Sequence, residues 1–181
     1  LKQELLEQET VVKKKFKIAF DLDDVILNTT PEILNNLHYY GYDVDPFEEV
    51  VNFDLINFTG ASKEQLNQAI NESLWQYLPL INSFTSEIFL VLKQMYVEVY
   101  IISHRREEFR EHIVKNLREL EISDSYYQLV LIPECIPHTN TPDKAGFCMD
   151  NDIDIIVDDR LDTLYDIQTR AGIKTIVFDR P

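Results

Sequence analysis

Basic residues are scarce in this 181-residue chain: 17 Lys and Arg stand against 32 Asp and Glu, a formal net charge of -15. Such a field repels phosphate backbones and anionic lipid at long range, so long nucleic acid and membrane surfaces are excluded as default partners. A small phosphorylated metabolite is not excluded, because one local cation or a bound metal outweighs the global field at contact distance. Cysteine is nearly absent as well. Cys135 and Cys148 are too few and too isolated for a disulfide framework or a zinc ribbon, which fits a reducing, cytoplasmic setting. No apolar run has the length of a membrane span, and LKQELLEQETVVKKK has neither the apolar stretch nor the cleavage site of a secretory signal. A soluble protein is the expectation. Internal repeats and low-complexity tracts are missing, and His38, His112 and His138 lack metal-ligand spacing. Nothing fixes the oligomeric state, and a homo-oligomer stays open.

What is present is a rhythm. Hydrophobic residues make up 45% of the chain, enough for an ordinary core. Short β-rich runs at 16–20, 97–102, 127–132, 153–157 and 174–178 are separated by helical stretches. Strands alternating with helices predict an α/β fold, a Rossmann-like three-layer parallel sheet covered on both faces. REEFREHIVKNLREL sets Phe109, Ile113, Leu117 and Leu120 on one stripe, and LDTLYDIQTRAG stops at Gly172. The rhythm breaks once: roughly 65 residues separate the first strand's acids from the second strand, more than a crossover helix requires. Thr29, Pro31 and Glu32 open a helix there, and Ser62 with Gln65 forms a capping box. The division expected is an arm at 1–15, a core at 16–28 and 83–181, and an inserted helical cap at 29–82.

Polar residues that follow strands of an open parallel sheet become neighbours over one crevice. KIAFDLDD supplies Asp21, Asp23 and Asp24; YIISHR supplies Ser103, His104 and Arg105; IDIIVDD supplies Asp158 and Asp159, with Lys144 shortly upstream. DLDDV, the strand-terminal Ser103, Lys144 and IIVDDRLDT, in that order, resemble the four motifs of the haloacid dehalogenase superfamily of phosphohydrolases. The likeness spans residues 16–178. PLINS, YIISHR and VDDRLDT are similar to the deoxyribonucleotide 5'-nucleotidase branch, and the closing VDDRLDTLYDIQTRAGIKTIVF also resembles polynucleotide-end phosphatases.

That resemblance implies a Mg²⁺-dependent phosphomonoester hydrolase with a small phosphorylated substrate, a nucleoside monophosphate first among them. Asp21 would be the nucleophile and form an aspartyl-phosphate. Asp23, raised in pKa by neighbouring carboxylates, would pass a proton to the leaving oxygen and later take one from water. Asp21, the main chain of Asp23, and Asp158 or Asp159 would supply oxygen ligands to the metal. Ser103 and the main-chain amide of His104 would hold phosphoryl oxygens, while Lys144 would stabilise the developing charge. Two positions depart from the pattern: Asp24 stands where Gly is usual, and Ser103 where Thr is common. A turn at Asp24 calls for positive φ, which Asp tolerates better than most residues. The alternatives are a phosphatase of nucleic-acid ends or sugar phosphates, and a binding or regulatory module without turnover.

Overall fold

The structure is a computed structural model that describes residues 14–44, 59–132 and 143–179. Its strands are β1 (Lys17–Asp21), β2 (Glu98–Ser103), β3 (Gln128–Leu131), β4 (Ile155–Asp158) and β5 (Lys174–Val177). They form one sheet in the order β3-β2-β1-β4-β5, every pair parallel. The helices are α1 (Thr30–Tyr39), α2 (Lys63–Ser73), α3 (Thr85–Gln94), α4 (Arg110–Glu119), α5 (Lys144–Asp150) and α6 (Leu161–Ala171).

Strand alternation sends side chains to two cores. On one face Val99, Ile101 and Val157 meet Phe89 of α3 with Ile113 and Leu117 of α4. On the other, Ala19, Ile102 and Ile156 meet Ala145 and Cys148 of α5 with Leu164 and Ile167 of α6. The stripe read from REEFREHIVKNLREL is therefore the buried one, with Phe109, Ile113 and Leu117 fully enclosed. Helices α1 and α2 pack on each other around a separate apolar cluster that includes Ile33, Leu37, Leu66 and Ala69.

Helix ends follow local chemistry. Ser62 and Gln65 exchange the two hydrogen bonds of a capping box, and Asp143 accepts from the Gly146 amide at the start of α5. Gly172 ends α6 at φ 65°, a left-handed stop that costs glycine nothing. The start of α1 is different: Thr29 makes no side-chain cap, and Asp24 does its work from outside the helix. The strands reach one residue further than their apolar runs, so Asp21, Ser103 and Asp158 close β1, β2 and β4 from inside the ladder. Among the described residues no helix is long and apolar enough to cross a membrane.

Candidate active site

After β1 the chain turns back to build β2 and β3 on one side, then crosses to place β4 on the other. That reversal opens a crevice at the carboxyl ends of β1 and β4, the place where open α/β sheets gather their ligands. Asp21 ends one wall and Asp158 the other. Lys144, the first residue of α5, reaches between them and donates to Asp21 Oδ1 and Asp158 Oδ2, each at 2.6 Å. Its side chain is 5% exposed, that of Asp158 not at all.

Asp21, Asp158 and Asp159 are all buried and offer carboxylate oxygens within 4.8 Å of one another. Burying like charge is costly, and the Asp21 carboxyl responds: burial pushes it up, against the pull of Lys144, to about 8. Burial works to lower the Lys144 ammonium, but the charges of Asp21 and Asp158 hold it above the ordinary lysine value. The second carboxylate oxygen of Asp158 is also engaged, since Oδ1 accepts from the Arg160 amide at 2.9 Å. An all-oxygen set of this kind suits a hard divalent cation such as Mg²⁺.

Asp23 lies in other company. Arg105 grips it with two hydrogen bonds, Nε to Oδ2 at 3.1 Å and Nη2 to Oδ1 at 2.5 Å, and Thr29 Oγ1 donates to Oδ1 at 2.7 Å. The Arg105 side chain is 3% exposed and that of Asp23 31%. The expectation of a raised Asp23 is corrected here. Burial does work upward, but the guanidinium charge and its hydrogen bonds outweigh it and leave the carboxyl below the usual range. The sequence places Arg105 among the strand-end residues and Thr29 at a helix start but gives neither a role at Asp23; the structure gives both one. Register carries part of the signal: Asp21 pairs with Ile102, which sets the loops after β1 and β2, with Asp23 and Arg105, side by side.

Ser103 is fully buried, accepts from the Arg105 amide at 3.1 Å and lies 3.5 Å from Asp23 Oδ2. The His104 ring turns away, its Nδ1 at 3.1 Å from the Ile132 carbonyl. Asp24 adopts φ 57°. Its Oδ1 accepts the Thr29 and Thr30 amides at 3.0 and 2.9 Å, and its Oδ2 accepts the Thr30 hydroxyl. Asp24 thus accommodates the left-handed turn and also caps α1. Beside Lys144 a cavity of about 220 Å³ is lined by His104, Asp143, Thr163 and Asp166, among others, with no Phe, Tyr or Trp.

His38 and His112 bond main-chain carbonyls of Val44 and Gln76; His138 and Cys135 lie outside the described residues. Tyr39 is 87% exposed, while Trp75, half exposed, packs its ring 4.6 Å from that of Phe109.

No family model and no curated protein matches the chain. Solved structures do. A hydrolase from Streptococcus pneumoniae superposes with a TM-score of 0.58 at 16% identity, covering 92% of this chain and 94% of that one. A predicted phosphoglycolate phosphatase from Haemophilus somnus gives 0.61 at 15%, covering 93% and 87%. An aspartate-to-alanine variant of a haloacid dehalogenase family enzyme from Bacteroides thetaiotaomicron, in complex with magnesium and inorganic phosphate, gives 0.55 at 16%, covering 92% and 95%. At these identities the likeness is one of fold, and the chain carries the Rossmann-like fold of the haloacid dehalogenase superfamily hydrolases.

Proposed function

We propose that the protein is a Mg²⁺-dependent phosphomonoesterase that works through an aspartyl-phosphate on Asp21, with a nucleoside monophosphate as the first substrate to try. The observation that supports it is the meeting of Asp21, Lys144, Asp158 and Asp159 at the crevice between β1 and β4. Asp21, Asp158 and Asp159 would hold the ion, together with the main chain of Asp23. Bound there, the ion would supply two positive charges against the carboxylates and the phosphate. Unit charges about 4 Å apart interact by about 4 kcal/mol at an effective dielectric of 20, so an anionic nucleophile needs that neutralisation.

An Asp21 carboxylate oxygen attacks phosphorus while the bond to the leaving oxygen breaks. Asp23 protonates that oxygen, then takes a proton from the water that attacks phosphorus and frees Asp21. Ser103 and the His104 amide orient phosphoryl oxygens, and Lys144 holds Asp21 and offsets charge on the intermediate. The Arg105 clamp keeps Asp23 ionised in the resting protein, so substrate must loosen the clamp before Asp23 can donate. Segment 29–82, with α1 and α2 packed as a unit, serves in this reading as the cap over the substrate.

The test is hydrolysis of an aryl phosphate and a panel of mononucleotides in Mg²⁺. Turnover is expected with the native chain and absent with Asp21→Asn; a fully active variant rules out the nucleophile. A second reading, a sugar-phosphate phosphatase, is favoured by the cavity beside Lys144, where Thr163 and the carboxylates of Asp143, Asp162 and Asp166 offer hydrogen-bonding groups to a hydroxyl-rich substrate and no Phe, Tyr or Trp is present to stack on a base. Hexose phosphates hydrolysed in preference to every mononucleotide would select it.

A further inference from the structure

Two arms join the α1–α2 unit to the core, residues 28–30 on the way out and 74–78 on the way back, and they are held in unlike ways. The return arm is seated on α4 residue by residue. The Trp75 ring packs 4.6 Å from that of Phe109, at the N-cap of α4, and His112 Nε2 donates to the Gln76 carbonyl at 2.9 Å. The Tyr77 ring lies 5.0 Å from the His112 ring and 5.2 Å from the Lys115 ammonium. The Leu78 amide donates to Asn116 Oδ1 at 2.7 Å, and Asn116 Nδ2 donates back to the Leu78 carbonyl at 3.0 Å. Asn116 is 2% exposed, so one buried side chain satisfies both main-chain groups of Leu78 as a neighbouring strand would. As the arm advances from 75 to 78, its partners advance along α4 from 109 to 116.

The base of the outgoing arm is fixed to the same seat, since the Asn28 amide donates to the Pro79 carbonyl and the Ile81 amide to the Ile26 carbonyl, each at 2.9 Å. Past Asn28 the pattern changes. The amides of Thr29 and Thr30 and the Thr30 hydroxyl all converge on the one carboxylate of Asp24, and the Thr29 hydroxyl donates to Asp23. Helices α1 and α2 hold each other: Asn36 Nδ2 donates to Ser73 Oγ at 2.9 Å and to the Ala69 carbonyl at 3.3 Å, over their own apolar cluster. Contacts spread over four packed residues give way only together, whereas bonds gathered on one side chain are lost in one local opening. We infer that Asp24 is a latch and the return arm a fixed pivot. When the latch releases, α1 and α2 tilt together about residues 75–78 and the crevice opens beside Asp23, with Trp75 still in place. This rests on the reading of segment 29–82 as a cap, and it puts the substrate's way in past Thr29.

Hydrogen exchange on the full chain without substrate tests the latch apart from the phosphatase reading, because no turnover is needed. In Asp24→Gly the amides of Leu34 and Leu37, inside α1, are expected to exchange about fivefold faster or more, as for the loss of a helix cap, while Leu78 keeps its native rate. Asp24→Asn retains an acceptor oxygen and should bring Leu34 and Leu37 back toward native rates. Trp75 is the only tryptophan of the chain, so its emission reports the pivot and should be unchanged in both variants. Native rates at Leu34 and Leu37 in Asp24→Gly overturn the latch, as does an asparagine variant that exchanges as fast as the glycine one. Faster exchange at Leu78 or a red shift of Trp75 in Asp24→Gly overturns the pivot. The expected pattern in a protein that hydrolyses no phosphate leaves the latch standing and removes only the phosphatase.

Discussion

Asp21 and Asp23 are one residue apart and live under opposite electrostatics. Asp21 sits in a dry corner with Asp158 and Asp159, where burial raises its carboxyl and a lone ammonium opposes the rise. Asp23 reaches the rim, where a bidentate guanidinium holds it ionised. The lesson is that two cations of the same formal charge do different work. Lys144 is a point charge set between two acids, while the planar fork of Arg105 matches a single carboxylate. The first arrangement leaves a site short of positive charge, and the second leaves none wanting.

The sharpest way to break the comparison is to neutralise each acid in turn. Asp21→Asn should lower kcat by at least about 10³-fold in Mg²⁺, since the attacking oxygen is lost, with the fold retained by circular dichroism. Asp23→Asn should lose about 10²–10⁴-fold, the usual range for a positioned acid-base group, and least with aryl phosphates whose leaving group needs no proton. Next comes the lysine. Lys144→Met leaves Asp21 and Asp158 buried without their partner and should cost about 3–5 kcal/mol in urea unfolding, partly restored by Mg²⁺.

The pH profiles should run in opposite directions. For Asp21 the folded carboxyl lies above its unfolded value of 3.8, so its contribution is full below about pH 4 and is lost as pH rises toward about 8. Asp21→Asn should remove that slope, and Mg²⁺ should flatten it by displacing the proton, binding more tightly as pH rises. For Asp23 the folded carboxyl lies below 3.8, so its contribution is full above that value and is lost as pH falls through the folded one. Arg105→Met should abolish this acid-side loss at a cost of about 1–2 kcal/mol at neutral pH, less than for Lys144 because the rim is wetter. Urea melts of the three proteins between pH 3 and 9 separate the two carboxylates.

Much of this was legible in the chain. The strands are short apolar runs, two of which stop at acids and one at a serine, a pattern of period and punctuation, so their number and parallel pairing followed from sequence. The acid that Arg105 holds was not legible, because that partner stands 82 residues away and is chosen by which strands are neighbours; the pairing of β1 with β2 brings the two loops together. The exposed apolar residues of α3 escaped for another reason. Ile88 and Val91 are the residue types of a core, and their exposure depends on what lies beyond α3, which local pattern does not encode.

Asp24 provides the finest contrast, with a carboxylate in the same loop that does structural rather than chemical work. Two effects of similar size meet there: the left-handed φ costs a non-glycine residue about 1–2 kcal/mol, and a lost helix cap costs about 1 kcal/mol. Asp24→Ala keeps the strain and loses the cap, so it should lower stability by about 1 kcal/mol, a shift of about 2–4 °C in Tm for a chain of this size. Asp24→Gly loses the same cap but relieves the strain, and should stay within about 1 kcal/mol of the native protein. If the alanine variant proves no less stable than the glycine variant, the turn is not strained and Asp24 is held there by its hydrogen bonds to Thr29 and Thr30 alone.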